Sequence, residues 1–207
     1  IQKQDPVASK SATVESAFRA ALAGYMSMLA GADGAGNIEK AKAVMQQLNS
    51  VVGESPDGKK RLVSIYFTLA RDLEEQLNAA ETAEKKNVLA AGFETFLDEV
   101  GTAGTDFSIR YWAASTMQGL GTSFESNGTL TPKATAYFNK SVQLFQSVAE
   151  QGKNDLAWVN EDETTGKAYL AQIRMNMAQV MKKLGQYEEA NRELALILLD
   201  TPSNVSV

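Results

Sequence analysis

The turn from Gly185 to Ala190, with the sequence GQYEEA, constrains the fold of this chain more than any other segment. Apolar residues recur at helical spacing on both sides of it, which predicts two helices joined by a tight turn. Gly185 can adopt the left-handed conformation that ends a helix, and Tyr187 is expected to pack over the turn. Ala190 is small enough to let the two helix axes approach closely. The segment therefore predicts an antiparallel helical hairpin.

The same helical spacing of apolar residues runs through the rest of the chain. Eight segments show it, and none has the strict alternation of a strand. Most are separated by stretches that contain glycine or proline, and residues 78–86 form a charged, alanine-rich join. We therefore predict an all-α fold, an α–α superhelix or solenoid of about four antiparallel hairpins. Their expected bounds are about 11–53, 56–103, 105–151 and 162–200. Residues 1–10 are predicted to be a flexible lead-in, and residues 11–204 a single helical-repeat domain.

Local signals set the expected ends of several helices. The second helix is predicted to begin with Gly36, because the spacing from Gly36 to Ala41 repeats that of the last turn. The fourth is predicted to end within residues 101–104, the seventh to run from about 167 to 184, and the eighth from Tyr187 to Asp200. Thr131 followed by Pro132 predicts a capped start for the sixth helix. A short turn is expected at 156–159, where Trp158 is either a lid over the neighbouring hairpin or a contact residue.

The last hairpin, about residues 171–204, resembles the tetratricopeptide repeat. Its residues match the family's turn, packing and terminating positions at Gly185, Tyr187, Ala190, Leu194, Ile197 and Pro202. Arg174 stands where the family has an aromatic residue. The close resemblance covers about a sixth of the chain, and the first and third hairpins share only parts of the general plan. It implies hairpins stacked side by side into a right-handed superhelix.

The resemblance also implies a function, that of a non-enzymatic protein–protein interaction scaffold. In this family the first helix of each hairpin lines a concave face, and peptides bind there. The positions that correspond in this chain are Gln172, Met175, Gln179, Lys182 and Lys183, with Arg110 and Tyr111 contributed by the third hairpin. Met175 and Gln179 occupy places where the family's clamp for a terminal carboxylate has Lys and Asn, so that clamp is not expected.

Composition excludes several classes of chemistry. The 207 residues include no Cys and no His, which removes thiolate and imidazole catalysis, disulfides and the usual zinc sites, and no cofactor is implied. A net charge of −5 with only short basic runs argues against nucleic-acid binding. No apolar run is long enough to span a bilayer. The chain begins at Ile1, which suggests a processed protein or a domain of a longer one and leaves the compartment undecided.

Other interpretations of single motifs were weighed. The acidic run at 160–163 is explained better by a helix N-terminus than by a cation site, because it lacks the alternating ligands of a calcium loop. Asp72, Glu74 and Glu75 are the carboxylates on which a hydrolase, the least favoured alternative, would depend. A small-molecule or glycan-binding domain is the remaining alternative, and it predicts an aromatic-lined cavity under Trp158.

The last helix carries apolar residues on nearly every face, namely Leu194, Leu196, Ile197, Leu198 and Leu199. The outer side of a terminal repeat is normally polar. This surface is therefore expected to meet either further repeats or another copy of the chain.

Overall fold

The computed structural model describes residues 16–17, 20, 24, 34–52, 65, 73–77, 79–103, 106–126 and 128–200. Within these ranges the chain forms helices and turns and no strand, apart from an isolated bridge between Ser126 and Thr129. The all-α prediction is confirmed. The helices predicted at about 11–30 and 56–77 lie mostly outside the described residues.

Seven helices have defined bounds. They are α1 (Gly34–Val52), α2 (Ala83–Ala103), α3 (Phe107–Ser123), α4 (Pro132–Asn154), α5 (Leu156–Val159), α6 (Glu163–Lys183) and α7 (Tyr187–Asp200). The chain divides into two compact units, Ile1–Gly104 and Thr105–Val207. The division falls at the predicted join between the second and third hairpins. Among the described helices, none is long and apolar enough to cross a membrane.

Helices α1 and α2 pack together within the first unit. Ala41 and Met45 are the buried contacts from α1, while α2 contributes an almost continuous apolar face that includes Phe93 and Phe96. The two phenylalanine rings lie with centroids 6.4 Å apart. Because these side chains recur three or four residues apart, the helical period alone brings them to one side.

Of the two glycine-containing boundaries predicted in the first unit, one lies inside a helix and the other is at a helix end. Helix α1 begins at Gly34, so Gly36 is helical and does not have the conformation of Gly185. Helix α2 ends at Ala103, within the predicted stretch of residues 101–104, so that prediction is confirmed. A helical glycine costs only about 1 kcal/mol relative to alanine, which packing readily offsets.

The hairpin of α3 and α4 opens the second unit. Helix α3 buries Ile109, Ala113 and Met117 on one side, as the spacing predicts. Trp112, whose register with Ile109 predicts a core position, is only half-buried. The predicted cap of α4 is confirmed: the Thr131 hydroxyl accepts from the Ala134 N–H at 3.1 Å, and Pro132 follows it. The same hydroxyl donates to the Phe124 carbonyl oxygen at 2.8 Å, which joins the end of α3 to the start of α4.

The predicted turn between α6 and α7 is confirmed, and α7 has the predicted bounds. Gly185 has φ 78°, the left-handed conformation. The Gln186 N–H donates to the Met181 carbonyl oxygen at 2.9 Å, and the Gly185 N–H donates to that of Lys182 at 3.1 Å. These two bonds satisfy carbonyl groups that the end of α6 leaves without helical partners. Tyr187 does not pack over the turn as expected, since it is 63% exposed.

Replacing Gly185 by Ala is expected to lower the free energy of unfolding by about 1 kcal/mol, because a Cβ is unfavourable at positive φ. Gly185→Asn should lower it less, since Asn tolerates this conformation. Chemical unfolding followed by tryptophan fluorescence measures the change, because both tryptophans of the chain, Trp112 and Trp158, lie in the second unit. Equal stability of the Ala and Gly proteins would contradict the role assigned to this turn.

Helix α6 begins at Glu163, four residues before the predicted start, because Asp162 caps it. The Thr165 N–H donates to Asp162 Oδ2 at 2.8 Å, and Glu163 lies in the first turn. The interpretation of the acidic run as a helix N-terminus is thus confirmed. Hydrogen bonds from the side chain and backbone of Thr165 lower the pKa of Asp162 below its ordinary value of 3.8.

Thr165→Val should raise the pKa of Asp162 toward 3.8, while the remaining backbone hydrogen bond keeps it below that value. Thr164→Val, one residue away, is the control and should leave it unchanged. An NMR titration of the Asp162 carboxyl carbon measures both. Because the folded-state pKa is lowered, this capping contribution is present above pH 3.8 and is lost as the pH falls through the lowered value. An unchanged midpoint in Thr165→Val would contradict this explanation.

Candidate functional site

A row of exposed side chains runs along α6. It consists of Gln172, Met175, Gln179 and Lys182, spaced by three or four residues, and we call it the α6 row. Met175 is 42% exposed, whereas Ile173, Met177 and Val180 on the other side are buried in the core. Five of the seven methionines lie in the described ranges, and the four besides Met175, namely Met45, Met117, Met177 and Met181, are buried. The row therefore presents two amides, one thioether and one ammonium to solvent.

A chain of hydrogen bonds connects the α6 row with α3. Gln172 Nε2 donates to Asn176 Oδ1 at 2.8 Å, and Asn176 Nδ2 donates to the Tyr111 hydroxyl oxygen at 3.0 Å. Two of the predicted site residues, Gln172 and Tyr111, are thus brought together although they are far apart in sequence. Asn176, which joins them, was missed by the sequence analysis. Its spacing of four residues from Gln172 was the available signal, because amide pairs at that spacing interact on a helix.

An aromatic cluster centred on Phe107 lies beside this network. Its ring centroid is 5.8 Å from that of Tyr111, 5.6 Å from that of Trp158 and 5.6 Å from that of Tyr169. Tyr169 is 44% exposed, while Trp158 is half-buried and packs edge-on against Phe107. Of the two interpretations offered for Trp158, the structure favours the lid over the neighbouring hairpin. Phe107 and Tyr169 were not singled out in the sequence.

Arg110 lies next to this cluster and is half-buried. Its Nη1 donates to Gln151 Oε1 of α4 at 2.8 Å, and its guanidinium carbon is 6.0 Å from the centroid of the Trp158 ring. An arginine held over an aromatic face is favoured electrostatically. Arg110 therefore connects α3 to both α4 and α5.

The two lysines at the end of α6 are separated from this cluster. Lys183 is 11 residues beyond Gln172, about 16 Å along the helix axis. Its Nζ lies 2.6 Å from Glu125 Oε1 and 5.1 Å from the centroid of the Phe138 ring. Lys182 is exposed. The structure thus groups Gln172, Tyr111 and Arg110, places Met175 and Gln179 along the α6 row, and pairs Lys183 with the loop that follows α3.

The carboxylates considered for catalysis are only partly described. Glu74 and Glu75 are exposed on a short helical stretch at 73–77, and Asp72 lies outside the described residues. Across the described parts of the chain, no group of three or more acidic residues is placed to hold a metal ion.

The apolar residues of α7 form an end face, which we define by Leu194, Leu198 and Leu199. They are 37%, 56% and 75% exposed, respectively. Leu196 and Ile197 are half-buried. The apolar residues of the last helix therefore fall into two groups: Leu196 and Ile197 are partly covered by the unit itself, and the three leucines of the end face are exposed to solvent.

Comparison with known proteins adds no relative to this description: no protein-family model matches the chain, and no curated protein or solved structure is significantly similar to it.

Proposed function

We propose that the chain is a non-enzymatic protein–protein interaction module with tetratricopeptide-like hairpins, and that it binds a peptide segment along the α6 row. The observation that carries this proposal is the contact between α3 and α6, the first helices of successive hairpins. Tyr111 and Asn176 are hydrogen-bonded across it at 3.0 Å, and Phe107 and Tyr169 are in ring contact. Stacked hairpins make such a contact between first helices when they line one continuous face.

The chemistry of the α6 row suits an extended peptide. The exposed amide of Gln179 offers two N–H donors and a carbonyl acceptor, and that of Gln172 offers its carbonyl oxygen and the N–H that Asn176 does not accept. These groups match the alternating donors and acceptors of a peptide backbone. Met175 lies between them and offers an adaptable apolar contact for a side chain. The row contains no acidic residue, and Lys182 at its end favours a peptide with a carboxylate at that position.

The other nominated residues have supporting roles in this proposal. Tyr111 holds Gln172 in place through Asn176, and Arg110 connects α3 to Gln151. Lys183 forms an ion pair with Glu125 and thereby positions the end of α6. Lys182, the neighbouring lysine, contacts the partner. Because these hydrogen bonds and ion pairs already hold the side chains in place, less conformational entropy is lost when a peptide binds.

Site-specific photo-crosslinking tests the assignment of the face. A photoreactive phenylalanine analogue is placed at Gln172, Met175 or Gln179 of the full-length protein in the cells that produce it, and at Glu189 on α7 as an exposed control. We expect the same adduct from the three α6 positions and none from Glu189. Met175→Asp, with the analogue at Gln179, should reduce the adduct at least fivefold. Equal adducts from all four positions would contradict the proposal.

For the end face of α7 we propose contact with a second copy of the chain. Three exposed leucines on one short helix form an apolar surface that association would remove from water. Sedimentation velocity on the full-length protein should show a species heavier than the monomer, and Leu198→Lys should shift it to the monomer. If the protein is a monomer at every concentration, self-association is ruled out, and further repeats become the surface that covers the end face.

A further inference from the structure

A cavity of about 360 Å³ lies in the second unit, away from the α6 row. Its walls come from the end of α4, from α5, from the first half of α6 and from the end of α7. None of its lining residues belongs to the α6 row, and none is aromatic. It therefore differs from the aromatic-lined cavity that the small-molecule alternative predicted under Trp158.

The charged residues of this cavity are all cationic. Lys153, Lys167 and Arg174 line it, and no acidic residue does. Lys167 Nζ is paired with Glu163 at 2.5 Å and Arg174 Nη1 with Glu193 at 2.9 Å, on carboxylates that are not part of the lining. Lys153 and Lys167 are exposed and can turn toward a ligand. In a chain of net charge −5, this is a local positive site that favours an anion.

The remaining walls are largely aliphatic. Leu156, Leu170 and Ile197 come from three different helices and converge on the same space, and Leu199 of the end face, which is 75% exposed, lines its edge. Leu170 is held close to the backbone of α4: its Cδ2 lies 2.6 Å from the position that a Cβ on Gly152 would occupy. The absence of a side chain at Gly152 thus lets α6 approach α4 and fixes one apolar wall of the cavity.

We propose that this cavity binds an aliphatic monocarboxylate, that is, a fatty acid of medium chain length. Lys153 and Lys167 would bind the carboxylate, and the leucine and isoleucine side chains would contact the alkyl chain. A water molecule takes about 30 Å³ of liquid. A cavity of about 360 Å³ therefore has room for a ligand of about twelve non-hydrogen atoms, the number in decanoate. This volume is within the usual range for small-molecule sites.

Isothermal titration of the full chain with sodium decanoate, below the concentration at which it forms micelles, tests the proposal. We expect one site, with methyl NMR signals of Leu170 and Ile197 shifting on binding. The double variant Lys153→Met and Lys167→Met should weaken binding at least tenfold, and Ala171→Phe, which places a ring in the cavity, should abolish it. Arg192→Met, which removes an exposed cation of α7 outside the cavity, should leave binding unchanged.

Two further ligands separate the contributions of charge and chain. Acetate carries the carboxylate without the chain, and decyltrimethylammonium carries the chain with the opposite charge. Each should bind at least tenfold more weakly than decanoate. The proposal is overturned if decanoate does not bind, if the cationic ligand binds as well as decanoate, or if the double lysine variant, folded by its tryptophan fluorescence, binds decanoate like the original protein. Because the crosslinking test uses another face, its outcome is independent.

Discussion

Replacing Gly121 by Ala should destabilise the second unit by about 2 kcal/mol, whereas the same change at Gly119 should stabilise it by up to about 1 kcal/mol. Both glycines lie in α3, two residues apart. A Cβ on Gly121 would lie 2.6 Å from two carbons of the Phe138 ring, and Phe138 is fully buried, so the ring has no space to move into. A Cβ on Gly119 meets nothing within 4 Å.

Chemical unfolding followed by tryptophan fluorescence measures both changes in the same unit. In the Gly121→Ala background, Phe138→Leu should cost at least about 1 kcal/mol less than it does in the original protein, because the smaller side chain removes the overlap. If both alanine variants are more stable than the original protein, the Phe138 ring of α4 does not lie as close to Gly121 of α3 as the structure places it.

Removing Glu193 should have the largest effect of any single charge change in the second unit. Glu193→Ala is expected to lower the free energy of unfolding by about 3 kcal/mol, because it leaves the Arg174 guanidinium buried without the carboxylate 2.9 Å away. The side chains of Arg174 and Glu193 are only 8% and 19% exposed. This pair connects α6 to α7.

Replacing both partners tests that explanation. The double variant Arg174→Met with Glu193→Leu should recover most of the lost stability, because buried ion pairs and well-packed apolar pairs are often equivalent. Lys167→Ala is the matched control: it breaks the pair with Glu163, whose side chains are 48% and 72% exposed, and should cost no more than about 0.5 kcal/mol. A loss in Glu193→Ala as small as that of the control would mean that solvent already screens Arg174.

The parts of the fold that were predictable from sequence are those determined by neighbours along the chain. Helix α7 has its predicted bounds because Gly185 and the apolar period both act locally. Local signals were misleading where tertiary packing decides the outcome. Gly36 was expected at the start of α1 but lies inside that helix, and Asp162 starts α6 before its apolar period becomes visible.

The candidate site was predictable only along single helices. The exposure of Gln172, Met175 and Gln179 follows from their spacing on α6, since the opposite face is apolar. The contact of Asn176 with Tyr111 joins two helices, and no local pattern predicts such a pairing. The same holds for Lys183, whose partner Glu125 follows α3. The cavity was also not predictable, because its walls come from four different helices.

The order in which helices pack within the second unit has a consequence for its biosynthesis. Helix α3 packs most extensively on α4 and α6 on α7, while contact between α4 and α6 joins the two hairpins, so each of these helices finds its main partner within a short stretch of chain. Chains dominated by such near-neighbour pairings fold quickly. We therefore expect this unit to assemble stepwise from its amino-terminal hairpin while the ribosome is still adding α6 and α7, with little demand for chaperones.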